Sequence, residues 1–467
     1  MTDKKKIEIL CFLDDDYGRD VEILMPVVYY AEKILHCTVK FAFVWDIHAI
    51  YRRRPDVVLL ANTIGSKLYF EISKYAHRNG IKVFALISEG NFSTTGTVNY
   101  YGFNTDRKFY QEYICLWNER TYKFMKKELA DDSGKCVLTG STGFDRYRIY
   151  RFKSKEEYLK EKNIANFTKV IGYAGWAFGK LTNVGGRKEL RVDENKDSER
   201  FKWMEKMMYF VEGVLKKAVL NNPDILFIFK RHPNEIHPHI TKEGLNEMIR
   251  LREFPNVLYI KENENLHDII NACDIWLGFR STTVLEAWGL KPIPTLLINP
   301  DLAYKYESIF DGCLIVDTYE DLQNAIDEFY TTGGIAAFEQ KQIKESQKRL
   351  FREIIGWDDG LNHVRTGYYL KKVIDGIQPG TPKKVKLNFS HFLKYFLLHA
   401  GKYFYHKGLF LKLPKFRKTI WIFERFRLEG LEKLKNTYFG YLNSFYEKQD
   451  LKNKIENKAF WDNLFSY

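Results

Sequence analysis

The chain of 467 residues has no run of eighteen or so uninterrupted apolar residues, the length a helix needs to cross a bilayer, so any membrane contact is expected to be peripheral. Its amino terminus, Met1-Thr2-Asp3 followed by three lysines, runs into a short strand-like stretch, Ile7 to Leu13, and then into three acidic residues. That is not the layout of a secretory signal peptide. Cysteine is sparse: Cys11, Cys37, Cys115, Cys136, Cys273 and Cys313 stand far apart, without the paired spacing of a zinc site, and most lie in apolar strand-like runs. They read as reduced core residues of a cytosolic protein, and no metal ligand set is expected. A Walker-type loop and a Gly-x-Ser-x-Gly elbow are also missing, which removes most of the weight from P-loop phosphoryl transfer and serine hydrolysis.

What is present is globular. Hydrophobic residues make up 45% of the chain and charged residues 28%, but aromatic residues reach 16%, with 35 Phe and 30 Tyr, and need somewhere to go. The net charge of +13 is concentrated: 18 Lys and Arg face 7 Asp and Glu downstream of Gly380, so about +11 sits there and the main body is close to neutral. Nucleic acid is therefore not implied as a partner.

Short β-rich runs alternate with amphipathic stretches of helical length, the pattern of parallel sheets with helices on both faces. Strands are expected over Ile7–Leu13, Val39–Val44, Asp56–Ala61, Lys82–Ile87, Tyr113–Trp117 and Cys136–Thr139. A second series follows at Val170–Ala174, Ile225–Lys230, Val257–Ile260, Asp274–Gly278, Pro292–Ile298 and Leu314–Val316. The length exceeds what one hydrophobic core usually serves. The reading is an N-terminal lobe over 1–150, a second lobe with closing helices over 151–377, and a basic, aromatic-rich helical tail over 378–467. Closing helices of this kind often cross back onto the first lobe, with Gly356-Trp357-Asp358 as the bend. The tail interleaves Lys383, Lys384 and Lys386 with Phe389, Phe392, Phe396, Phe404, Phe410, Phe416, Trp421 and Phe423. That composition suits an element lying on an anionic bilayer, and equally a helical hairpin packed on its own protein.

Chemistry-bearing residues collect where strands end and helices begin, the place where open α/β sheets bind ligands. After Lys82–Ile87 comes Ser88-Glu89-Gly90-Asn91, in which Glu89 suits a general base for an acceptor hydroxyl and Asn91 an acceptor contact. After Ile225–Phe229 comes Lys230-Arg231-His232-Pro233-Asn234: two cations for phosphate, and an imidazole able to donate to a leaving phosphate oxygen. Gly278-Phe279-Arg280-Ser281-Thr282-Thr283 opens a helix whose amides and hydroxyls suit a phosphate. There Thr283 and Glu286 have the spacing of a capping box, while Glu286 can instead reach a ribose. Gly175, after Val170–Ala174, allows close approach of a donor. Asp16, within Asp14-Asp15-Asp16-Tyr17-Gly18, is an acceptor or metal candidate against the plainer reading of a solvated turn.

Glu89-Gly90, Arg231-His232-Pro233 and Ser281-Thr282 together resemble the acidic-Gly, His-Pro and Ser/Thr motifs of bacterial sialyltransferases and related Kdo transferases, GT-B enzymes that use CMP-activated sugars. Leu116-Trp117-Asn118-Glu119, with Leu138 through Asp145, resembles the close of the first lobe in bacterial surface carbohydrate biosynthesis proteins. The resemblance covers roughly residues 5–375. It implies an α/β GT-B fold, two Rossmann-like parallel-sheet lobes facing a cleft, with Glu89 as base, His232 assisting the leaving phosphate, and Ser281 and Thr282 holding it. Lys230, Arg231, Glu286 and Gly175 complete the donor site. Ser88 stands where a second acidic residue is usual, a departure that bears on the sugar more than on the fold. The same His-Pro, hydroxyl and Glu pattern is similar to teichoic-acid glycerophosphotransferases and, more distantly, to non-hydrolysing UDP-GlcNAc 2-epimerases, whose Gly-Gly pair Thr282-Thr283 replaces.

The expectation is thus a glycosyltransferase without metal or other cofactor. Its partners would be a nucleotide-sugar donor and a glycan or lipid-linked acceptor, at the inner face of the cytoplasmic membrane. A CDP-polyol phosphotransferase and a non-catalytic sugar-nucleotide-binding protein are the alternatives.

Overall fold

Each strand is three to six residues long and mostly apolar, and in the computed structural model these runs build two six-stranded sheets, parallel throughout. The structure describes residues 6–62, 66–88, 108–182, 199–232, 235, 244–261, 264–301, 308–378, 384–408 and 426–466. Contacts divide the chain into two units, Met1–Arg151 with Phe351–Tyr467, and Phe152–Leu350. Residues 351–377, grouped with the second lobe in the sequence reading, therefore belong to the first unit, together with the tail.

In the first unit, β1 (Glu8–Leu13), α1 (Arg19–Tyr29), β2 (Thr38–Phe43), α2 (Ala49–Arg53), β3 (Val57–Leu60), α3 (Lys67–Arg78), β4 (Lys82–Ala85), β5 (Tyr113–Leu116), α4 (Glu119–Leu129) and β6 (Cys136–Leu138) follow one another, and the sheet runs β2-β1-β3-β4-β5-β6. Every residue of β3 is buried, because a parallel strand between helical crossovers has no solvent face. Helix α1 carries Pro26 and passes into a wider turn over Tyr30–Ile34. In the second unit β7 (Lys169–Ala174), α5 (Glu199–Asn221), β8 (Ile225–Lys230), β9 (Val257–Ile260), α6 (Leu266–Ala272), β10 (Ile275–Gly278), α7 (Thr283–Leu290), β11 (Thr295–Ile298), β12 (Leu314–Val316) and α8 (Tyr319–Thr332) give the order β12-β11-β10-β7-β8-β9. All twelve expected strands are present. Burying each Leu, Ile, Val or Phe of the core built on Ile171, Phe227, Phe229, Leu277 and Ile298 contributes about 1.5–3 kcal/mol.

The C-terminal stretch completes the first unit through α9 (Asn362–Asp375), α10 (Phe389–His406) and α11 (Leu428–Gln449). Asp145 receives the first amides of α9, from Asn362 at 3.0 Å and His363 at 2.7 Å, so a carboxylate sits at the positive end of the helix. The same carboxylate meets His363 Nδ1 at 2.8 Å, and His363 Nε2 lies 3.0 Å from the Tyr446 hydroxyl. Tyr150 stacks on Tyr438 with centroids 4.7 Å apart, and Tyr29 donates to Asn443 at 2.9 Å. The part of the tail on α11 thus packs on its own unit. The tail aromatics Phe410, Phe416, Trp421 and Phe423 lie outside the described residues.

Candidate functional site

Strand register sets the site in the second unit. Ala174 at the end of β7 pairs with Lys230 of β8 on one side and with Gly278 of β10 on the other. Three segments therefore leave the sheet at one level, over neighbouring strands about 4.8 Å apart. They carry Gly175-Trp176, Arg231-His232 and Phe279-Arg280-Ser281-Thr282. Strand order reverses between β7 and β10, so this edge is the topological switch point of the sheet.

The residues at that edge differ in what they can offer. Lys230 and Arg231 are buried, and Arg231 donates to the Lys261 carbonyl at 3.1 Å, tying the end of β8 to that of β9. His232 is half-buried, and its carbonyl accepts the Glu235 amide at 3.0 Å. Pro233 and Asn234 lie outside the described residues. Ser281 and Thr282 stand at the N-terminus of α7, where unsatisfied amides favour an anion. Arg280 holds a left-handed backbone, φ 50°, unusual for a residue with a side chain, and its guanidinium lies 5.8 Å from the Trp203 ring centroid. Trp176, Phe178 and Phe279 pack beside it, Phe178 stacked on Phe279 at 5.2 Å, so the edge combines cations with an aromatic wall.

The capping box read into Thr283 and Glu286 does not form. Helix α7 begins at Thr283 itself, one residue earlier than a Thr283 cap requires, so Thr283 and Glu286 are not the cap and its third residue. The Thr283 hydroxyl instead accepts from the Trp276 indole and lies against Ser281 Oγ, each at 3.0 Å. Glu286 points to His267, with 3.4 Å between Oε2 and Nδ1.

Beneath the edge lies a pair of buried carboxylates that the sequence did not disclose. Glu235 accepts the Gly179 amide at 2.6 Å and the Asn246 side-chain amide at 2.9 Å. Glu247 accepts the Tyr173 hydroxyl at 2.8 Å and the Trp176 amide at 3.1 Å through one oxygen, while the other is buried with no hydrogen-bond partner. Burial, and then the neighbouring Glu235 charge, push Glu247 up to about 8. Together they clip the segment after β7 to the segment after β8. A side chain on Gly175 has no room here: its Cβ would stand 2.4 Å from Met248 Cε and 3.2 Å from Glu247 Oε1. Glu235, directly after the His-Pro-Asn run, was open to detection by its position; Asn246 and Glu247 carry no motif.

In the first unit, Ser88 at the end of β4 is buried, and Glu89 and Asn91 lie outside the described residues. The acidic run after β1 is no solvated turn: Asp15 and Asp16 are both buried. Asp16 faces Arg427 Nε at 3.2 Å, and a side chain on Gly430 would come within 2.8 Å of its carboxylate, so it is enclosed by the start of α11. The residue overlooked here is Asp20. It accepts the Tyr69 hydroxyl at 3.0 Å and is pushed up to about 6, first by burial and then by the Asp14 charge, with bonds from Tyr69 and Ser88 opposing. A carboxylate poised near neutrality at the C-terminal edge of a parallel sheet is able to exchange a proton. Among the described residues no group of three or more His, Cys, Asp or Glu has metal-ligand geometry.

No protein-family model and no curated protein sequence matches the chain. Its fold does have solved relatives. A protein assigned as a UDP-N-acetylglucosamine 2-epimerase from Listeria monocytogenes superposes with a TM-score of 0.50 at 14% identity, over 82% of this chain and 100% of that one. The S. aureus MnaA–UDP complex gives 0.50 at 12% identity, over 82% and 100%. The wall teichoic acid polymerase TagF soaked with CDPG gives 0.50 at 11% identity, over 79% and 89%. Two parallel Rossmann-like sheets with a helical C-terminal stretch are the GT-B fold, and the expected fold class holds.

Proposed function

We propose that the chain is a glycosyltransferase that moves a sugar from a nucleotide-activated donor, with CMP among the candidate nucleotides, to a cell-surface polysaccharide or lipid-linked glycan. The observation that carries the reading is the common edge of β7, β8 and β10, which brings Gly175, Lys230, Arg231, His232, Ser281 and Thr282 to one level at the switch point of a parallel sheet. Cations, an imidazole and the N-terminus of α7 at one sheet edge form a site for a nucleotide phosphate. The UDP complex of MnaA and the CDPG soak of TagF, proteins of the same fold, support a nucleotide ligand.

In this reading Glu89 takes the proton of the acceptor hydroxyl, with Asn91 toward the acceptor side, while Asp16, enclosed by the start of α11, is left out of the acceptor site. The oxygen attacks the anomeric carbon, and the bond from that carbon to phosphate breaks. The nucleotide leaves with the electron pair, its phosphate oxygen stabilised by His232, Ser281 and Thr282, while Glu286 serves the ribose. No bound metal is required, since the charge that develops on phosphate meets protein cations and dipoles. The enzyme would work peripherally at the inner face of the cytoplasmic membrane, where lipid-linked acceptors lie.

The likeness to TagF favours one second reading, transfer of a polyol phosphate from a CDP-linked donor through the same His232 and Ser281 region. A thermal-shift series against CMP, CDP, UDP, GDP and ADP tests both. A ligand at 100 times its Kd stabilises the folded state by about 2.7 kcal/mol, or several degrees for a unit of this size. CMP alone raising Tm supports sialyl or Kdo transfer, CDP supports polyol phosphate transfer, and UDP or GDP points to a hexosyl donor. No shift with any of the five removes the nucleotide-sugar reading. Glu89→Gln is expected to abolish transfer and keep the shift; undiminished turnover excludes Glu89 as base. A chain that binds nucleotide tightly and turns over no acceptor is a sugar-nucleotide-binding protein of the pathway.

A further inference from the structure

Helix α10 is fixed to the first unit along one side only. Its approach is anchored by Val385, which is buried in the core of that sheet, and by the Lys386 backbone, whose amide donates to Asn79 at 2.7 Å and whose carbonyl accepts the Tyr75 hydroxyl at 2.6 Å. Asn388 then caps the helix, accepting the His391 amide at 3.2 Å. His391 meets the edge of Tyr75 at 4.8 Å, and Tyr395 lies between the His48 ring at 5.2 Å and the Arg52 guanidinium at 4.5 Å. A cavity of about 510 Å³ beneath this side is lined by Phe41, Phe43, Leu398 and Phe426 together with Arg52 and Lys402.

The other side is exposed among the described residues. Phe389 is 69% exposed, Phe396 58%, Leu397 59% and Tyr403 60%, and Leu393 and Phe404 are exposed as well. Positions 389, 393, 396, 397, 403 and 404 repeat at helical spacing, so they form one stripe along the outer face. A soluble monomer rarely leaves so much contiguous apolar surface uncovered. Charge decides what covers it: residues 384–408 contain Lys384, Lys386, Lys394, Lys402 and Lys407 and no Asp or Glu. A second copy of this face would bring like charges together, whereas an anionic lipid surface complements the lysines and accepts the aromatic rings. No helix among the described residues is long and apolar enough to cross a membrane, which leaves α10 to lie in the interface plane.

We infer that the outer face of α10 docks the protein on a bilayer of anionic phospholipid, with Phe389, Phe396 and Leu397 entering the acyl boundary and the lysines at headgroup level. The inference deepens the membrane part of the function proposed above, and it does not depend on which donor is used. The test is co-sedimentation of the full chain with vesicles of 70% phosphatidylcholine and 30% phosphatidylglycerol, and with phosphatidylcholine alone.

Binding to the mixed vesicles is expected to fall at least about tenfold in F389A/F396A/L397A, and about fivefold for each of Lys394→Ala and Lys407→Ala at low salt. Substitutions of exposed side chains leave the melting temperature unchanged, which separates lost docking from lost fold. Vesicle binding equal to wild type in the triple variant overturns the inference, as does a full chain that stays in the supernatant. So does a concentration-dependent dimer in sedimentation velocity that the triple variant abolishes. A chain that binds vesicles but shifts with no nucleotide refutes the enzymatic reading and leaves this one standing.

Discussion

Glu247 offers a measurement in which the buried pair under the nucleotide edge reports itself. Its carboxyl is wholly enclosed and pushed up to about 8, against about 4.5 for an unhindered glutamate. Between those two values the folded chain holds a proton that the unfolded chain has released. Stability therefore falls as pH rises through the window, by about 1.4 kcal/mol per unit, and the loss is complete above pH 8. Glu247→Gln retains an oxygen for Tyr173 and the Trp176 amide and removes the titration. The stability difference between variant and wild type should then grow in favour of the variant by about 2 kcal/mol from pH 6 to pH 8, a little under two units of that slope because the group is half titrated at the upper end. Asp20 and Asp46, each pushed up to about 6, shift stability mostly at lower pH and are common to both proteins. Urea unfolding followed by tryptophan fluorescence at pH 6, 7 and 8 gives the difference as a midpoint shift of roughly 1–2 M. Parallel pH profiles in the two proteins would refute the assignment of Glu247 as a neutral, buried acid.

Other outcomes follow from the packing. Gly172→Ala places a Cβ 2.4 Å from the Trp276 ring and 2.5 Å from Cys273 Sγ in the middle of the second sheet, and should cost about 2–3 kcal/mol in thermal or urea unfolding. His363→Ala leaves the Asp145 carboxylate and the Tyr446 hydroxyl buried without their partner and should cost about 3–5 kcal/mol, against about 1 kcal/mol for Tyr446→Phe. All six cysteines are buried and free, and burial raises every thiol, Cys37 and Cys313 to about 12. A thiol reagent should modify none of them in the native protein and all six in denaturant.

The twelve strands were legible because parallel strands covered on both faces carry near-continuous apolar runs, and Phe227-Ile228-Phe229 between charged ends can be little else. The phosphate edge was legible for a related reason: Arg231-His232 and Ser281-Thr282 follow strands directly, and a strand end fixes where the next residues go. What escaped depended on partners far off in sequence. Nothing local to Asp16 announces Arg427, 411 positions away, and a run of three aspartates reads as a solvated turn until that cation closes over it. Glu286 matched a capping box because spacing alone cannot show that the helix starts at Thr283 or that His267 stands opposite. Glu247 sits in polar sequence with no periodicity, and only its burial gives it meaning.

The first unit is made of two stretches of chain with the whole of residues 152–350 between them. On the ribosome this imposes a schedule. Asp145 emerges 218 positions before His363, and His363 another 83 before Tyr446. At about 5–20 residues per second the Asp145 carboxylate waits roughly 10–40 s for its imidazole. The second unit, contiguous in sequence, can finish folding within that interval. The half that starts first is thus the half that ends last, and its uncovered α1 face is the surface that a nascent-chain chaperone would meet.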